Sequence, residues 1–494
     1  MRITEPMDNK QKVVSNFIWR FMERFGSQLV SIVVQIVLAR ILDPAVFGTV
    51  AKVTIITSIL LVFVDSGMAN SLIQKKDPDD LDFSSVFYFN VVFCLVLYTG
   101  LFFAAPAIAR FYDDAQLTAI VRVLGLTVVV SGVKNVQQAY VSKTLQFKRF
   151  FFATLGGTLL SAAVGIVMVF RGFGVWSLVA QQLTNVTVNT AILWLTVDWK
   201  PKWMFSFERL GGLLSYGWKL LVSGLLDTVY NKLREIMIAV FYTDTDLAYY
   251  NRGMTYPYLI VENINASIDS VLLPVLSAEQ DHKEQVRNMT RRAIRISTYV
   301  MMPLMMGLAV CAEPLIRLLL TEKWLPCVPY MRIFCFSYAF YPLHTANLNA
   351  IKAMGRSDMF LKLEIIKKVF GVVILMITLP YGVYVMALSL LFTSVMAQII
   401  NSWPNAKLLD YAYIQQLKDM LPAILLSCLM GALVYPITWL GWSDWVTLPV
   451  QVIAGAAIYV AGSIIFKLDS FDYMLSIVKK LLRRGKGAEK EGNA

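Results

Sequence analysis

Apolar stretches long enough to cross a bilayer follow one another along almost the whole chain, and no other feature restricts its fold so strongly. Windows of roughly twenty apolar residues fall at about 13–42, 46–72, 83–109, 117–141, 150–170 and 175–197. After a polar connection over 198–212 they resume at about 213–241, 248–277, 293–320, 328–354, 359–379 and 383–402, and two more follow near 421–440 and 446–466. In hydrocarbon each backbone N–H and C=O must find a partner inside the protein, which a helix of this length provides within itself. A soluble chain of 494 residues would suggest about three domains, but 57% apolar and only 16% charged residues override that reading. The expectation is an all-α, polytopic membrane protein of about 14 transmembrane helices, in two pseudo-symmetric six-helix lobes plus a C-terminal helix pair. The expected boundaries are an N-terminal lobe over 1–212, a C-terminal lobe over 213–418, the last two helices over 419–466 and a basic tail over 467–494.

Charge supports that count. An even number of spans puts both termini on one side, and the connections on that side hold Lys75, Lys76, Lys143, Lys148, Arg149, Lys200, Lys202 and Arg209 in the first half. In the second half they hold Lys283, Arg287, Arg291, Arg292, Lys352, Arg356, Lys407 and Lys418. The opposite side holds little beyond Arg40, Arg110, Arg171 and Lys323. The bias predicts cytoplasmic termini, and it accounts for the net charge of +12 without nucleic acid as a partner. The first apolar window has no small-residue cleavage site and reads as a retained span. The external connections, such as 171–174 and 380–383, are too short for a catalytic domain. The tail over 471–484 mixes apolar and basic positions at helical spacing and should lie on the cytoplasmic leaflet.

A second level of order is a repeat. Along the first window Asn16, Arg20, Glu23, Arg24, Ser27, Ser31 and Gln35 recur at helical spacing and stack on one face. Ionisable groups on a lipid-facing side cost roughly 2.5–3.5 kcal/mol each, so the stripe should face water within a bundle. A shift of 200 residues lays Leu38–Lys52 over Ile238–Arg252 without a gap, with Lys52 on Arg252. The second copy keeps its own stripe of Lys219, Ser223, Asp227, Tyr230, Asn231 and Arg234. Duplicated bundles facing each other across a polar interface are a transporter architecture.

Cations dominate inside the windows: Arg20, Arg24, Lys52, Arg122 and Lys134, then Lys219, Lys232, Arg234, Arg252, Arg332, Lys367 and Lys368. The acids are fewer: Glu23, Asp65, Asp227, Glu235, Glu262, Asp269, Glu313 and Glu364. Glu313 and Arg317 should pair across one turn, and Lys362, Lys367 and Lys368 should snorkel to headgroups. Arg20, Arg24, Lys52 and Arg252, on stripes or repeat-equivalent positions, are the candidates for a cationic cavity, with Lys219 and Arg122 beside them. Guanidinium groups grip phosphate oxygens in pairs and lysine adds a compact charge, so phosphate or diphosphate is the preferred ligand group. Cys94, Cys311, Cys327, Cys335 and Cys428 show no metal or redox spacing, and His282 and His344 lie far apart. No metal or other cofactor is expected.

Several segments in order resemble the polysaccharide flippase branch of the multidrug/oligosaccharidyl-lipid/polysaccharide exporter superfamily, of the lipopolysaccharide and teichuronic acid export type. They are "LARILDPAVFG" (Leu38–Gly48), "IARFYDD" (Ile108–Asp114), "LQFKR" (Leu145–Arg149) and "GFGVWSLVAQQ" (Gly172–Gln182). In the second half they are "LLPVLSAEQD" (Leu272–Asp281), "EKWLPCVPYMRI" (Glu322–Ile333) and "AMGRSD" (Ala353–Asp358). The resemblance implies a fourteen-helix inner-membrane protein that moves an undecaprenyl-diphosphate-linked oligosaccharide repeat unit to the outer leaflet by alternating access. It implies that Arg20, Arg24, Lys52 and Arg252 engage the diphosphate, and that membrane lipid, a polysaccharide polymerase and chain-length machinery are partners. This chain has Lys52 where arginine also occurs in such families.

A headgroup with about two negative charges leaving a negative-inside cell gains roughly 2.3 kcal/mol per charge per 100 mV, so export needs no ATP, and no Walker-type phosphate loop is present. Asp65, Glu262 and Asp269 are the candidates for ion coupling. Two other readings compete: a cation-coupled drug antiporter of the same superfamily, which would favour cavity carboxylates, and a membrane-embedded polysaccharide polymerase or ligase, which would carry a larger extracytoplasmic loop. An enzyme is not expected.

Overall fold

The computed structural model describes residues 9–65, 68–476 and 479, except for the side chains of 9–18, 20, 21, 24 and 216. Each apolar window of the sequence is helical among the described residues, and no strand occurs among them. The first half comprises α1 (Asn9–Ile41), α2 (Pro44–Asp65), α3 (Met68–Gln74), α4 (Asp80–Phe111), α5 (Gln116–Lys143), α6 (Phe147–Phe170), α7 (Val175–Thr196) and α8 (Phe207–Phe241). There follow α9 (Asp244–Ala278), α10 (Lys283–Val310), α11 (Ala312–Leu320), α12 (Val328–Ala339), α13 (Tyr341–Ala353) and α14 (Ser357–Thr378). The last are α15 (Val383–Leu408), α16 (Tyr413–Val434) and α17 (Asp444–Ile465). Nine helical stretches among the described residues are long and apolar enough to cross a membrane.

The helices depart from the expected windows where local chemistry outweighs the run of apolar residues. The window at 328–354 is two helices, α12 and α13, separated at Phe340. Pro342 sits in the first turn of α13, where a missing N–H costs nothing and the ring discourages a helical residue before it. The window at 293–320 is likewise divided, at Cys311, into α10 and α11. Its helix starts ten residues early, at Lys283, so Lys283, Arg287, Arg291 and Arg292 belong to a helix rather than to a connection. Lys367 pairs with Glu364 at 2.5 Å. Glu313 and Arg317 pair as expected, at 2.9 Å, and Arg317 also reaches Asp444. Of the tail, residues 469–476 are helical, and most of the rest lies outside the described residues.

Chain contacts divide the molecule into two compact units, one up to Ala248 and one from Tyr249. In the first, Leu38, Val53, Leu117, Ile120 and Leu124 form a buried core from α1, α2 and α5. A second cluster gathers Leu72, Phe83, Trp199 and Leu213. It is closed by polar straps from α4 to the connection before α8: Ser84 Oγ accepts from the Lys202 N–H at 3.1 Å and Ser85 Oγ from the Ser206 N–H at 3.0 Å. In the second unit Tyr299, Leu426, Met430 and Tyr459 pack together, and Tyr459 donates to the Tyr299 carbonyl at 2.8 Å. Between α13, α15 and α16 a fully buried amide cluster holds the helices: Asn347 donates to Gln416 at 2.8 Å and Asn405 to Asn347 at 2.7 Å. In hydrocarbon, where apolar surface gains nothing by leaving lipid, such amides and small residues carry helix association.

One ion pair outside the apolar runs makes acid stability testable. Arg356 donates to both oxygens of Asp358, at 2.9 and 3.0 Å. Its guanidinium and the Met359 backbone N–H hold the Asp358 carboxyl at about 2, below its ordinary 3.8. A carboxyl depressed on folding stabilises fully above its unfolded value and ceases to do so as pH falls through its folded one. Melting temperatures taken from about pH 5 down to about pH 2 should therefore fall more steeply for the wild type than for Asp358→Asn.

Candidate substrate-binding site

The repeat read from the sequence is present in the folded chain. α1 ends at Ile41 and α2 begins at Pro44; α8 ends at Phe241 and α9 begins at Asp244, the same corner 200 residues on. The Leu42 N–H donates to the Leu38 carbonyl at 2.8 Å and the Tyr242 N–H to the Ile238 carbonyl at 2.9 Å. Leu38 and Ile238 are both fully buried, and Lys52 and Arg252 are each 7% exposed. Past an insertion of ten residues the match continues. Leu145 and Gly355 both take positive φ, 56° and 72°, ahead of α6 and α14. Arg122 and Arg332 each donate Nε to a carbonyl of the preceding long helix, Phe102 at 3.3 Å and Ala309 at 3.2 Å. Asn135 donates to Asp65 at 3.1 Å, and the equivalent Thr345 donates to Asn265 at 2.5 Å. Chance alignment would not reproduce side-chain hydrogen bonds.

The two repeat-equivalent cations sit in aromatic settings. Lys52 Nζ lies 4.9 Å from the centre of the Tyr112 ring, and the Arg252 guanidinium lies 4.9 Å from that of Trp324, with Tyr256 hydrogen-bonded to it. A ring face attracts a cation electrostatically and shields it from water, so both charges are held where an anion would meet little competition from solvent. Lys52 also forms an ion pair with Asp244, the first residue of α9. The same carboxylate accepts from Thr49 Oγ1 at 2.6 Å.

The remaining candidates are dispersed. Arg20 and Arg24 lie on α1, but their side chains fall outside the described residues. Lys219 is exposed on α8. The Arg122 guanidinium lies 4.1 Å from the Phe102 ring centre, so its charge is engaged within the α4–α5 pair. Asp65 ends α2 against Asn135, which Asn90 approaches at 3.4 Å. Glu262 and Asp269 are exposed on α9, and Asp269 accepts from Asn349 at 2.8 Å. Among the described residues no group of three or more His, Cys, Asp or Glu side chains could hold a metal ion.

Asp244 is the partner of Lys52 that the run of sequence concealed. It stands outside the apolar windows, and the repeat alignment sets it on Pro44, so nothing in its own segment marks it as the partner of a buried cation. The available signal was Gly48, one turn before Lys52 in α2. A Cβ there would overlap the Asp244 carbonyl, and a glycine inside a helix often marks a close approach of another backbone.

The chain is similar to known proteins over most of its length. It is 22% identical to the succinoglycan biosynthesis transport protein ExoT of Rhizobium meliloti, over 71% of each chain. It is also 22% identical to the lipopolysaccharide biosynthesis protein WzxC of Escherichia coli, over 73% of this chain and 74% of that one. Its fold is that of a solved structure of the lipid II flippase MurJ in an inward closed conformation, with a TM-score of 0.74 at 15% identity over 92% of this chain and 99% of that one. A multidrug resistance MATE family transporter in an inward-facing conformation matches at 0.62 and 15% identity, over 77% of this chain and 94% of that one. The polysaccharide biosynthesis protein family model matches residues 37–329, a range that begins in the last turns of α1 and runs past the repeated corner and Trp324 into α12. With more than half of its length accounted for in this way, the chain belongs to the polysaccharide biosynthesis protein family.

Proposed function

We propose that this chain is a flippase that carries an undecaprenyl-diphosphate-linked oligosaccharide from the cytoplasmic to the outer leaflet of a bacterial inner membrane, by alternating access, for polysaccharide assembly. The observation that carries the reading is the pair of repeat-equivalent, buried, aromatic-framed cations, Lys52 and Arg252. Buried cations inside apolar helices are costly to maintain, and an anionic ligand group gives them a use. Arg20 and Arg24 on α1 and Lys219 on α8 are the further cations that would meet the headgroup. The names of ExoT and WzxC and the fold shared with MurJ support the same reading. The basic connections favour termini in the cytoplasm. A polysaccharide polymerase and chain-length machinery are the partners such a carrier would serve.

The drug-antiporter reading fits less well, since cationic substrates would face Lys52 and Arg252. Asp65, Glu262 and Asp269 are the groups that ion coupling would use, and the membrane potential alone can drive a dianionic headgroup outward by roughly 2.3 kcal/mol per charge per 100 mV. The test is reconstitution of the full chain in vesicles with a lipid-linked oligosaccharide, measuring its arrival on the opposite leaflet. Each charge-assisted hydrogen bond contributes roughly 1.5–3 kcal/mol, so Arg24→Ala and Arg252→Ala should each slow transport by about tenfold to a hundredfold. Wild-type vesicles that move no lipid but exchange a cationic dye for protons would overturn the reading in favour of the antiporter.

A further inference from the structure

The Lys52 ammonium already has an internal anion, and the geometry around it is built for exchange. Asp244 opens α9, where the cap is provided by its neighbours: the Asp246 carboxylate accepts from the Thr243 N–H at 3.2 Å, and Thr243 Oγ1 accepts from the Asp246 N–H at 3.1 Å. Asp246 is thus committed to the corner, and Asp244 is left to reach α2. There it meets Lys52 and Thr49, and the absence of a side chain at Gly48 lets its backbone lie directly on the helix. At this point of contact one carboxylate, one ammonium, one hydroxyl and one missing Cβ come together, with the Tyr112 ring beside the ammonium. The ion pair is largely hidden from water, the Lys52 side chain being 8% exposed and that of Asp244 19%. At the repeat-equivalent place the residue opening the helix is Pro44, which has no charge to offer.

We propose that Asp244 is a positioning residue that occupies Lys52 when no ligand is bound and is displaced from it by the diphosphate of the substrate, so that ligand arrival frees the α8–α9 corner from α2. This rests on the flippase reading for the identity of the ligand. The exchange is one of like chemistry: a diphosphate offers more acceptor oxygens and more negative charge than a carboxylate, and the three donors of the ammonium reorient freely among them. A ligand shifts a conformational equilibrium only by its differential affinity for the two states. Competition for a single ammonium supplies that difference, because the ligand binds Lys52 only in the state that Asp244 has left. The side chain at 244 therefore sets the strength of anion binding and holds the corner, without itself touching the ligand.

The test uses the full-length chain with inorganic pyrophosphate as the probe. Nitroxides on Ala45→Cys and Phe241→Cys, both at exposed positions of the two corners, report the separation of α2 from the end of α8. Cys428→Ser removes the one exposed native thiol among the described residues. The wild type should show a short, narrow distance distribution that lengthens with pyrophosphate. Asp244→Asn should show the long distance without ligand and bind pyrophosphate at least about tenfold more tightly, since the competing state no longer reduces the binding-competent fraction. The charge exchange Lys52→Asp with Asp244→Lys should restore the short distance and make it insensitive to pyrophosphate, which a variant that merely failed to fold would not do. A short distance retained in Asp244→Asn, or a wild-type distance that ignores pyrophosphate, overturns the proposal. Failure of the flippase reading is registered separately, by wild-type vesicles that move no lipid-linked oligosaccharide while the distances respond as described.

Discussion

Alanine at Gly48 is expected to destabilise the protein strongly, although the change is a single methyl group. Its Cβ would overlap the carbonyl of Asp244 and stand 2.7 Å from the Asp244 Cα. These are backbone atoms at the start of α9, and no side-chain rotation can relieve the overlap. Either the α8–α9 corner lifts from α2 or α2 shifts within its core beside Val50 and Val53. Overpacking of this kind costs typically about 1–3 kcal/mol, and here the Lys52–Asp244 ion pair is pulled apart as well, so the upper end is expected. Gly100 in α4 is the matched control, because a Cβ there meets nothing within 4 Å. Alanine at position 100 should stabilise by roughly 0.5–1 kcal/mol through helix propensity alone. Thermal unfolding in one detergent would then show shifts of opposite sign for the same chemical substitution. Equal shifts would mean that the corner does not rest on Gly48.

The second large effect is expected at Asp419, near the start of α16. Its side chain is 3% exposed and receives Arg291 Nε at 2.6 Å, a second guanidinium from Arg295, and the Tyr411 hydroxyl at 2.8 Å. One carboxylate thus ties α10, the turn before α16 and α16 itself. Removing one partner of a buried ion pair costs roughly 3–5 kcal/mol when the other stays buried. The two arginines are partly exposed, 48% and 34%, and recover hydration, so about 2–3 kcal/mol is the expected loss for Asp419→Ala. Asp419→Asn keeps an acceptor for one arginine and should lose about half as much. The check is the midpoint of thermal unfolding for the two variants in parallel. A loss as large in the asparagine variant as in the alanine one would assign the effect to charge rather than to hydrogen bonding.

How much of this was legible beforehand depended on the range of the interaction. The helical membrane fold, the positions of most helices and the equivalence of Lys52 with Arg252 follow from quantities carried within one segment. Bilayer thickness sets the length of an apolar run, and helical spacing sets which polar residues share a face. The corner at Ile41–Pro44 and its copy at Phe241–Asp244 were readable because the chain must turn wherever a span ends. The divisions at Phe340 and Cys311 were not, because an apolar run continues through them and only the local backbone, turned at Pro342 or capped at Cys311, interrupts the helix. Nor was the amide cluster of Asn347, Asn405 and Gln416, whose members are scattered over three helices.

The site divides along the same line. From the sequence alone came a helical membrane chain with an internal repeat and an excess of intramembrane cations at matched positions, because composition, periodicity and charge bias are local sums. Tertiary structure alone decided what surrounds those cations: Tyr112 and Asp244 beside Lys52, Trp324 and Tyr256 beside Arg252. Tyr112, Asp244 and Trp324 come from segments distant in the chain, whereas Tyr256 stands one turn from Arg252 on α9. Which of them meet is set by how closely two backbones can approach, at Gly48 above all, and that distance is a property of packed surfaces rather than of any stretch of residues.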